Sequence, residues 1–158
     1  MSEERALAAV SDSGIAYDVI RHGPVGSLRE AAEARGVAPA AVVKTLVVRR
    51  GEGDYVLVLV PGDRSLSWPK LRALLGVSRL SLPPADEALA ATGYPRGTIT
   101  PFGALGGWPV YADERMRGER VTLGGGAHGV ALGVDADAAL DALGAVVADL
   151  TEPEGADS

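Results

Sequence analysis

A lysine stands inside the apolar stretch AVVKTLVVRR, at residues 41–50, where the sequence otherwise predicts a buried strand. Side chains of a strand alternate between two faces, so Lys44 shares its face with Val42, Leu46 and Val48. The opposite face is nearly as apolar, and a strand that is apolar on both faces is normally covered on both sides. The ammonium group of Lys44 must therefore reach water, bind a partner or line a cavity.

Two interpretations of Lys44 follow from this position. In the first, the stem of the side chain packs along the sheet and the charged head reaches solvent. In the second, Lys44 is a cation held in place to bind a ligand. Only two of the fifteen basic residues are lysines, Lys44 and Lys70. Because this chain uses arginine at nearly every other basic position, a lysine within a strand is notable. Lys70 comes near a predicted helix start and is interpreted as a surface residue.

A glycine-rich segment at residues 93–107, GYPRGTITPFGALGG, is the second candidate for ligand contact. Its glycines allow the backbone to come close to a ligand, and Pro101 stiffens the chain. Backbone N–H groups exposed around Gly97–Pro101 could hold a carbonyl or a hydroxyl group. Long loops within compact domains are often binding loops, and an ordinary surface loop is the alternative interpretation.

Several common kinds of site are excluded or disfavoured. The chain has no cysteine, which excludes disulfides, thiolate metal sites and a cysteine nucleophile. Its two histidines, His22 and His128, are far apart in sequence, so we expect no metal site. The stretch GGGAHG at 124–129 matches G-x-G-x-x-G, but strand-like residues follow it where a dinucleotide-binding motif needs a helix. No cofactor is expected.

Composition restricts the class of protein. The chain has 158 residues, 47% of them apolar and 23% charged, which indicates one folded domain. The formal charge of −6 argues against wrapping nucleic acid by bulk electrostatics, although a local basic patch remains compatible with it. The apolar runs are too short to span a bilayer, and the first residues lack the apolar core of a signal peptide. We expect a cytoplasmic protein without membrane association.

The order of predicted elements favours an α+β domain. The central pair of strands forms a hairpin, helices are frequent early and strands are frequent late, which predicts a mixed or largely antiparallel sheet. An acidic tail at 151–158 is predicted to be disordered. The full set is helices at 2–13, 27–36, 67–76, 85–92 and 136–150, and strands at 15–20, 42–49, 55–60, 109–112, 119–123 and 129–133.

Four motifs in one order resemble a known family. They are SLREAAEARGV, VVKTLVV followed by YVLVLVPGD, TGYPRGTITPFG, and GGGAHGVALGV before a final helix. This order is similar to that of the YbaK/aminoacyl-tRNA editing family, which includes free-standing trans-editing deacylases and the editing domain of bacterial prolyl-tRNA synthetases. The resemblance covers roughly residues 10 to 150. It implies a single domain at 1–150 with a mixed, largely antiparallel central sheet flanked by helices.

The resemblance implies an activity. Family members hydrolyse the ester between a wrong amino acid and the 3′ end of a tRNA, which here suggests tRNA-Pro carrying Cys, Ala or another small amino acid. The reaction is substrate-assisted and uses neither a protein nucleophile nor a cofactor. The implied partners are the acceptor end of a mischarged tRNA and, as a hypothesis, prolyl-tRNA synthetase. The alternative is a non-catalytic module on the same fold that binds a nucleotide or an aminoacyl group.

The resemblance also implies site residues. Lys44 matches the family's essential lysine, which contacts the terminal adenosine and its phosphate, and it is the expected catalytic residue. The other residues are expected to bind substrate, the loop by holding the aminoacyl carbonyl and the glycine segment by lining the same pocket. They are Thr45, Gly97, Thr98, Ile99, Thr100, Pro101, Gly126 and His128. An apolar part of the pocket is expected from Val42, Ile99, Phe102 and Leu132.

Overall fold

A computed structural model describes residues 2–154 of the chain. Five α-helices lie in this part of the chain, and we number them in chain order. They are α1 (Ser2–Asp12), α2 (Leu28–Arg35), α3 (Trp68–Leu75), α4 (Ala85–Thr92) and α5 (Ala136–Leu143). Single turns of 3-10 helix occur at Pro39–Ala41, Leu105–Gly107 and Glu114–Met116.

Nine strands lie within the described residues. They are β1 (Tyr17–Arg21), β2 (Val43–Gly51), β3 (Asp54–Pro61), β4 (Arg64–Leu66), β5 (Val110–Asp113), β6 (Arg120–Gly124), β7 (Val130–Asp135), β8 (Val146–Ala148) and β9 (Thr151–Pro153). A four-stranded sheet has the order β2-β3-β5-β8, in which β2 and β3 are antiparallel and the other neighbours are parallel. A three-stranded antiparallel sheet has the order β1-β7-β6, and β4 pairs with β9 in a third sheet.

The predicted central hairpin is confirmed as β2 and β3, and it separates two apolar clusters. Val43 and Val47 of β2 belong to the larger cluster, which includes residues of α1, α4, α5 and the three-stranded sheet. Val48 belongs to the smaller cluster, against which Leu46 packs, together with Leu71 of α3. Both faces of the hairpin are therefore covered, as its two-sided apolar pattern predicts. The α+β class with a mixed sheet is confirmed.

Helix α2 begins and ends as its sequence predicts. The Ser27 hydroxyl accepts a hydrogen bond from the backbone N–H of Glu30, which satisfies one of the free donors at the start of a helix. Gly36 ends the helix in the left-handed conformation, with φ of 72°. These two signals fix where α2 begins and ends.

The C-terminal part of the chain differs from its prediction. The helix predicted at 136–150 ends at Leu143, because Gly144 adopts the left-handed conformation with φ of 62°. Strands β8 and β9 follow, and β9 pairs with β4, so the tail predicted to be disordered from 151 is ordered through Pro153. Strand β4 was also not predicted. Residues 155–158 of that tail lie outside the described residues.

Among residues 2–154, no helix is both long enough and apolar enough to cross a bilayer. The same residues contain no cluster of three or more acidic, histidine or cysteine side chains that could hold a metal ion.

Candidate functional site

A cavity of about 460 Å³ opens along the outer edge of β2. Helix α2, the start of α4 and the loop before Ile99 form its other walls. The lining residues are mainly apolar, as is usual for small-molecule sites. They are Val25, Ser27, Leu28, Ala31, Arg35, Val42, Val43, Lys44, Thr45, Leu46, Val47, Leu82, Pro83, Ala85, Ala88, Arg96, Gly97, Ile99 and Gly124.

The cavity lies where the edge of β2 has no neighbouring strand. Val42 is bridged to Thr122 at one end, and Arg49 exchanges two backbone hydrogen bonds with Ser81 at the other. Since Arg49 directs its backbone groups away from β3, every second residue before it does the same. The backbone N–H and C=O groups of Thr45 therefore face the open edge, where they are available to a ligand.

The side chain of Thr45 adds an unused polar group to this wall. Its hydroxyl oxygen is buried and has no hydrogen-bond partner among residues 2–154. A buried hydroxyl without a partner costs free energy, and such groups are uncommon in folded proteins. A ligand with a donor or acceptor at this position would satisfy it.

The charges around the cavity are positive. Lys44, Arg35 and Arg96 are among its lining residues, and none of the described lining residues is acidic. Arg35 donates a hydrogen bond from Nη1 to the Thr122 hydroxyl at 3.0 Å, while its Nε is buried without a partner in the described chain. Burial lowers the pKa of Arg35 from its usual value. On a chain with a formal charge of −6, the cavity thus has a locally positive lining, which suits anionic or electron-rich groups.

Lys44 extends toward the β4–β9 pair. Its Nζ donates a hydrogen bond to the backbone carbonyl of Arg64 at 2.9 Å. It also lies 3.9 Å from the Glu154 carboxylate, and 32% of the side chain is exposed. The head of Lys44 is thus held by two residues that do not line the cavity, and it is neither loose in solvent nor fully buried.

Arg5 of α1 holds both ends of the 93–103 loop. Its Nε donates to the carbonyl of Gly103 and its Nη2 to the carbonyl of Gly93, each at 2.8 Å. The guanidinium also lies 4.5 Å from the ring centre of Tyr94, whose hydroxyl donates to the carbonyl of Phe102 at 2.7 Å. The pKa of Tyr94 is raised, mainly by burial. This loop is therefore an ordered part of the fold.

The glycine segment after β6 packs backbone to backbone against the same loop. The N–H of Gly126 donates to the carbonyl of Thr98 at 3.0 Å. A Cβ at Gly124 would lie 2.8 Å from the carbonyl oxygen of Ile99, so the close packing requires glycine there. Within residues 2–154, the N–H groups of Gly97 and Ile99 donate no hydrogen bond. Both residues line the cavity and could present these donors to a ligand.

The structure brings together part of the predicted site. Lys44, Thr45, Gly97, Ile99 and Val42 all line the cavity. The remaining predicted residues are not among its lining residues. Thr98, Thr100, Pro101 and Gly126 are buried behind the wall, and exposed His128 lies beside Gly97. The apolar pocket expected from Phe102 and Leu132 is not formed by them, because both are buried in the larger core cluster.

Sequence reasoning missed the wall opposite β2. Arg35 was not singled out, although it follows Leu28 and Ala31 at helical spacing and so shares their side of α2. Arg96 and Leu82 were also missed. The available signal was the position of Arg35 on the largely apolar face of α2. Nothing local indicates that the facing edge of β2 is open.

Comparisons with known sequences identify relatives. The model of the aminoacyl-tRNA editing domain matches residues 22–142. A proline–tRNA ligase of Fervidobacterium nodosum is 34% identical over 123 residues, which are 75% of this chain and 21% of the ligase. A proline–tRNA ligase of Trichlorobacter lovleyi is 38% identical over 87 residues, which are 55% of this chain and 15% of the ligase. The chain thus spans about a fifth or less of these curated relatives.

A solved structure of a proposed trans-editing enzyme for prolyl-tRNA synthetase has the same fold. It superimposes with a TM-score of 0.88 at 30% identity, covering 96% of this chain and 97% of that one. The matched residues of the family model include the β2–β3 hairpin and the 97–101 loop. The chain belongs to the aminoacyl-tRNA editing domain family.

Proposed function

We propose that this protein is a trans-editing aminoacyl-tRNA deacylase, which hydrolyses the ester of a mischarged tRNA. The observation that carries the proposal is the cationic cavity between the open edge of β2 and the Gly97–Ile99 backbone. Family membership narrows the substrate to an aminoacyl-tRNA end. The related proline–tRNA ligases favour tRNA-Pro as the carrier.

The cavity suits both parts of an aminoacylated 3′ end. Lys44, Arg35 and Arg96 provide cations for the phosphate and hydroxyl groups of the terminal nucleotide. The apolar wall suits the side chain of an amino acid, and a volume of about 460 Å³ has room for a small one, such as Cys or Ala. The backbone C=O of Thr45, on the open edge of β2, is an acceptor for the α-ammonium group.

The chemistry requires positioning more than a protein nucleophile. The ester is already activated, and water attacks its carbonyl carbon to form a tetrahedral intermediate. The N–H groups of Gly97 and Ile99 would stabilise the developing oxyanion. The C–O bond to the ribose then breaks, the ribose oxygen takes a proton from the attacking water, and the free amino acid leaves. The neighbouring ribose hydroxyl positions this water, so the substrate supplies part of its own catalysis. Fixing reactants in this way contributes up to about 7–11 kcal/mol in favourable cases.

The first test is deacylation of tRNA-Pro charged separately with Cys, Ala and Pro. Wild type should hydrolyse one mischarged species and spare Pro-tRNA-Pro. Lys44→Ala should lose the activity, whereas Lys70→Ala, which changes the other lysine, should keep it. Thermal unfolding of each variant controls for folding, because Lys44 also bonds the Arg64 carbonyl. Lys44→Ala with wild-type turnover would refute the assigned role.

Thr45 provides a second test that separates function from stability. Its hydroxyl has no partner among residues 2–154, so Thr45→Val should leave the free energy of unfolding unchanged or raise it. If the hydroxyl contacts the substrate, the same variant should lower kcat/KM for the edited tRNA. Unchanged kcat/KM would show that Thr45 only packs against the core. Urea unfolding and steady-state deacylation measure the two effects.

A binding module on the same fold is the competing function. It is supported by the contacts of Lys44 with Arg64 and Glu154, which give the lysine a structural role as well. Binding of an uncharged CCA end without turnover of any mischarged species would favour it.

Prolyl-tRNA synthetase is the proposed partner in supplying tRNA, and added synthetase should then raise the deacylation rate at low tRNA concentration.

A further inference from the structure

A second concave surface lies at the far end of β2, and we call it the arginine groove. Eight residues line it, four of which are arginines and two of which are serines. They are Arg49, Arg50, Gly51, Arg72, Ser78, Arg79, Leu80 and Ser81. The surface gathers nearly a third of the thirteen arginines of a chain that is acidic as a whole.

The groove keeps an excess of positive charge. Arg49 pairs with Glu87 at 3.3 Å, and Arg50 pairs with Asp54 through two contacts of 3.0 and 3.2 Å. Neither Arg72 nor Arg79 forms an ion pair within residues 2–154. Four guanidinium groups are thus balanced by two carboxylates. Arg79 is exposed and Arg72 is half-buried, so both guanidinium groups are open to a ligand.

Two consecutive arginines at the end of β2 line the groove from opposite faces of the strand. Pairing of β2 with β3 shifts register between Arg49 and Gly51, which is the pattern of a β-bulge. In a regular strand, Arg49 and Arg50 would point to opposite faces. Their contacts keep that arrangement, because Arg49 reaches Glu87 of α4 on the side of the larger cluster, whereas Arg50 reaches Asp54 and Tyr111, which packs against the smaller cluster. The groove therefore lies at the end of the strand, where both arginines line it.

The arginine groove lies along the same strand as the cavity proposed to hold the aminoacylated end. Both are built on β2 and on the segment 78–88, and the Arg49–Ser81 bridge lies between them. From Thr45 to Arg49 the strand advances about 13 Å, at about 3.3 Å per residue. A nucleic-acid strand whose last nucleotide enters the cavity can therefore place preceding phosphates over the groove.

We propose that the arginine groove binds the phosphate backbone of the tRNA strand that precedes the 3′ end, a role that rests on the proposed function. Guanidinium groups match phosphate geometry through paired hydrogen bonds, and the Ser78 and Ser81 hydroxyls add neutral donors. Phosphate contacts fix the register of a nucleic acid without reading its sequence. The groove thus supplies affinity to a protein whose net charge opposes RNA binding.

The experiment measures binding of an uncharged tRNA-Pro transcript by fluorescence anisotropy across a range of salt concentrations. The test variant is Arg72→Gln with Arg79→Gln. The matched control is Arg117→Gln with Arg120→Gln, which changes the net charge by the same amount. Both side chains are exposed at the start of β6, and neither lines the groove. Loss of two phosphate contacts should reduce the slope of log K against log salt by about 1.4–1.8. The control should keep the wild-type slope.

A second measurement uses an aminoacyl ester of free adenosine, which carries no preceding phosphates. Arg72→Gln with Arg79→Gln should hydrolyse it at the wild-type rate while losing efficiency on the full tRNA.

A wild-type slope and affinity in the test variant, or no measurable binding of tRNA by wild type at low salt, would overturn the inference. A test variant that binds tRNA normally but no longer binds prolyl-tRNA synthetase would mark the groove as a protein surface and also overturn it. If no tRNA is deacylated but the slope falls as expected, the proposed enzyme activity fails and the groove stands.

Discussion

Replacing Arg5 by alanine should both destabilise the fold and slow the proposed reaction. Arg5 joins α1 to the two ends of the loop that carries Gly97 and Ile99, through the carbonyls of Gly93 and Gly103. A hydrogen bond from a charged donor contributes about 1.5 kcal/mol at the lower end of measured values. A cation over an aromatic ring adds about 0.5–1 kcal/mol. Because the side chain is half-buried and water replaces part of these contacts, we expect a loss of about 2–4 kcal/mol.

Urea unfolding followed by circular dichroism measures this loss as a lower midpoint at unchanged slope. Arg29→Ala is the matched control, since Arg29 is exposed on α2 and surface changes usually stay within about 0.5 kcal/mol. Arg5→Lys should fall between the two, because it keeps a charge near Tyr94 but cannot reach both carbonyls with one planar group. A midpoint for Arg5→Ala equal to that of Arg29→Ala would refute the reasoning.

The same variants separate loop order from overall stability. Far below the unfolding midpoint, Arg5→Ala remains folded, so any fall in kcat reports on the position of the loop amides. We expect kcat to fall while Arg29→Ala keeps the wild-type value. Equal kcat values in all variants would show that the loop holds its conformation without Arg5.

Two further predictions concern pH and packing. A hydrogen bond from Arg115 lowers the pKa of Asp149 from 3.8 to about 2. The ionised carboxylate therefore stabilises the fold above about pH 4, and this contribution is lost as the pH falls toward 2. The stability difference between wild type and Asp149→Asn, measured by urea unfolding, should shrink over that interval, and a constant difference would contradict the linkage. Gly124→Ala should cost about 1–3 kcal/mol because the new Cβ would meet the carbonyl of Ile99, whereas Gly51→Ala, with no atom within 4 Å, is its control. Equal unfolding midpoints for the two variants would show that the backbone around Ile99 moves aside without lowering the free energy of unfolding.

Signals between residues close in sequence were sufficient to predict α2 and the β2–β3 hairpin. The capping pair Ser27 and Glu30 predicted the start of α2, because both partners of the hydrogen bond lie within one turn. The two-sided apolar runs of β2 and β3 predicted a covered hairpin, because neighbouring strands joined by a short turn pair with each other. In both cases the deciding contacts are close in sequence.

Long-range pairing decided the elements that were missed. Strand β8 pairs with β5 and β9 pairs with β4, partners that lie more than thirty residues away. Residues 145–150, which are apolar except for Asp149, are compatible with either helix or strand, and the continued helix was the wrong choice. Gly144 was the available stop signal, as Gly36 was for α2.

Only those residues of the candidate site that lie on one strand and one loop could be predicted from the sequence. Lys44, Thr45, Gly97 and Ile99 were identified because their motifs are contiguous in sequence. Arg35 joins them through the packing of α2 on the open edge of β2, which no local pattern reveals. The role of each residue remains a prediction for the variants described above.

The open edge of β2 bears on how this protein avoids self-association. Unpaired edge strands are templates for pairing with a second chain, and long flat apolar edges favour aggregation. Here the unpaired stretch is limited to the few residues between Val42 and Arg49, and it lies recessed behind α2 and the start of α4. The proposed substrate, a tRNA end, would enter this recess, whereas a full strand from another molecule would have to displace both bridges. Variants that remove the Arg49–Ser81 bridge would lengthen the exposed edge, and they should aggregate before they lose the fold.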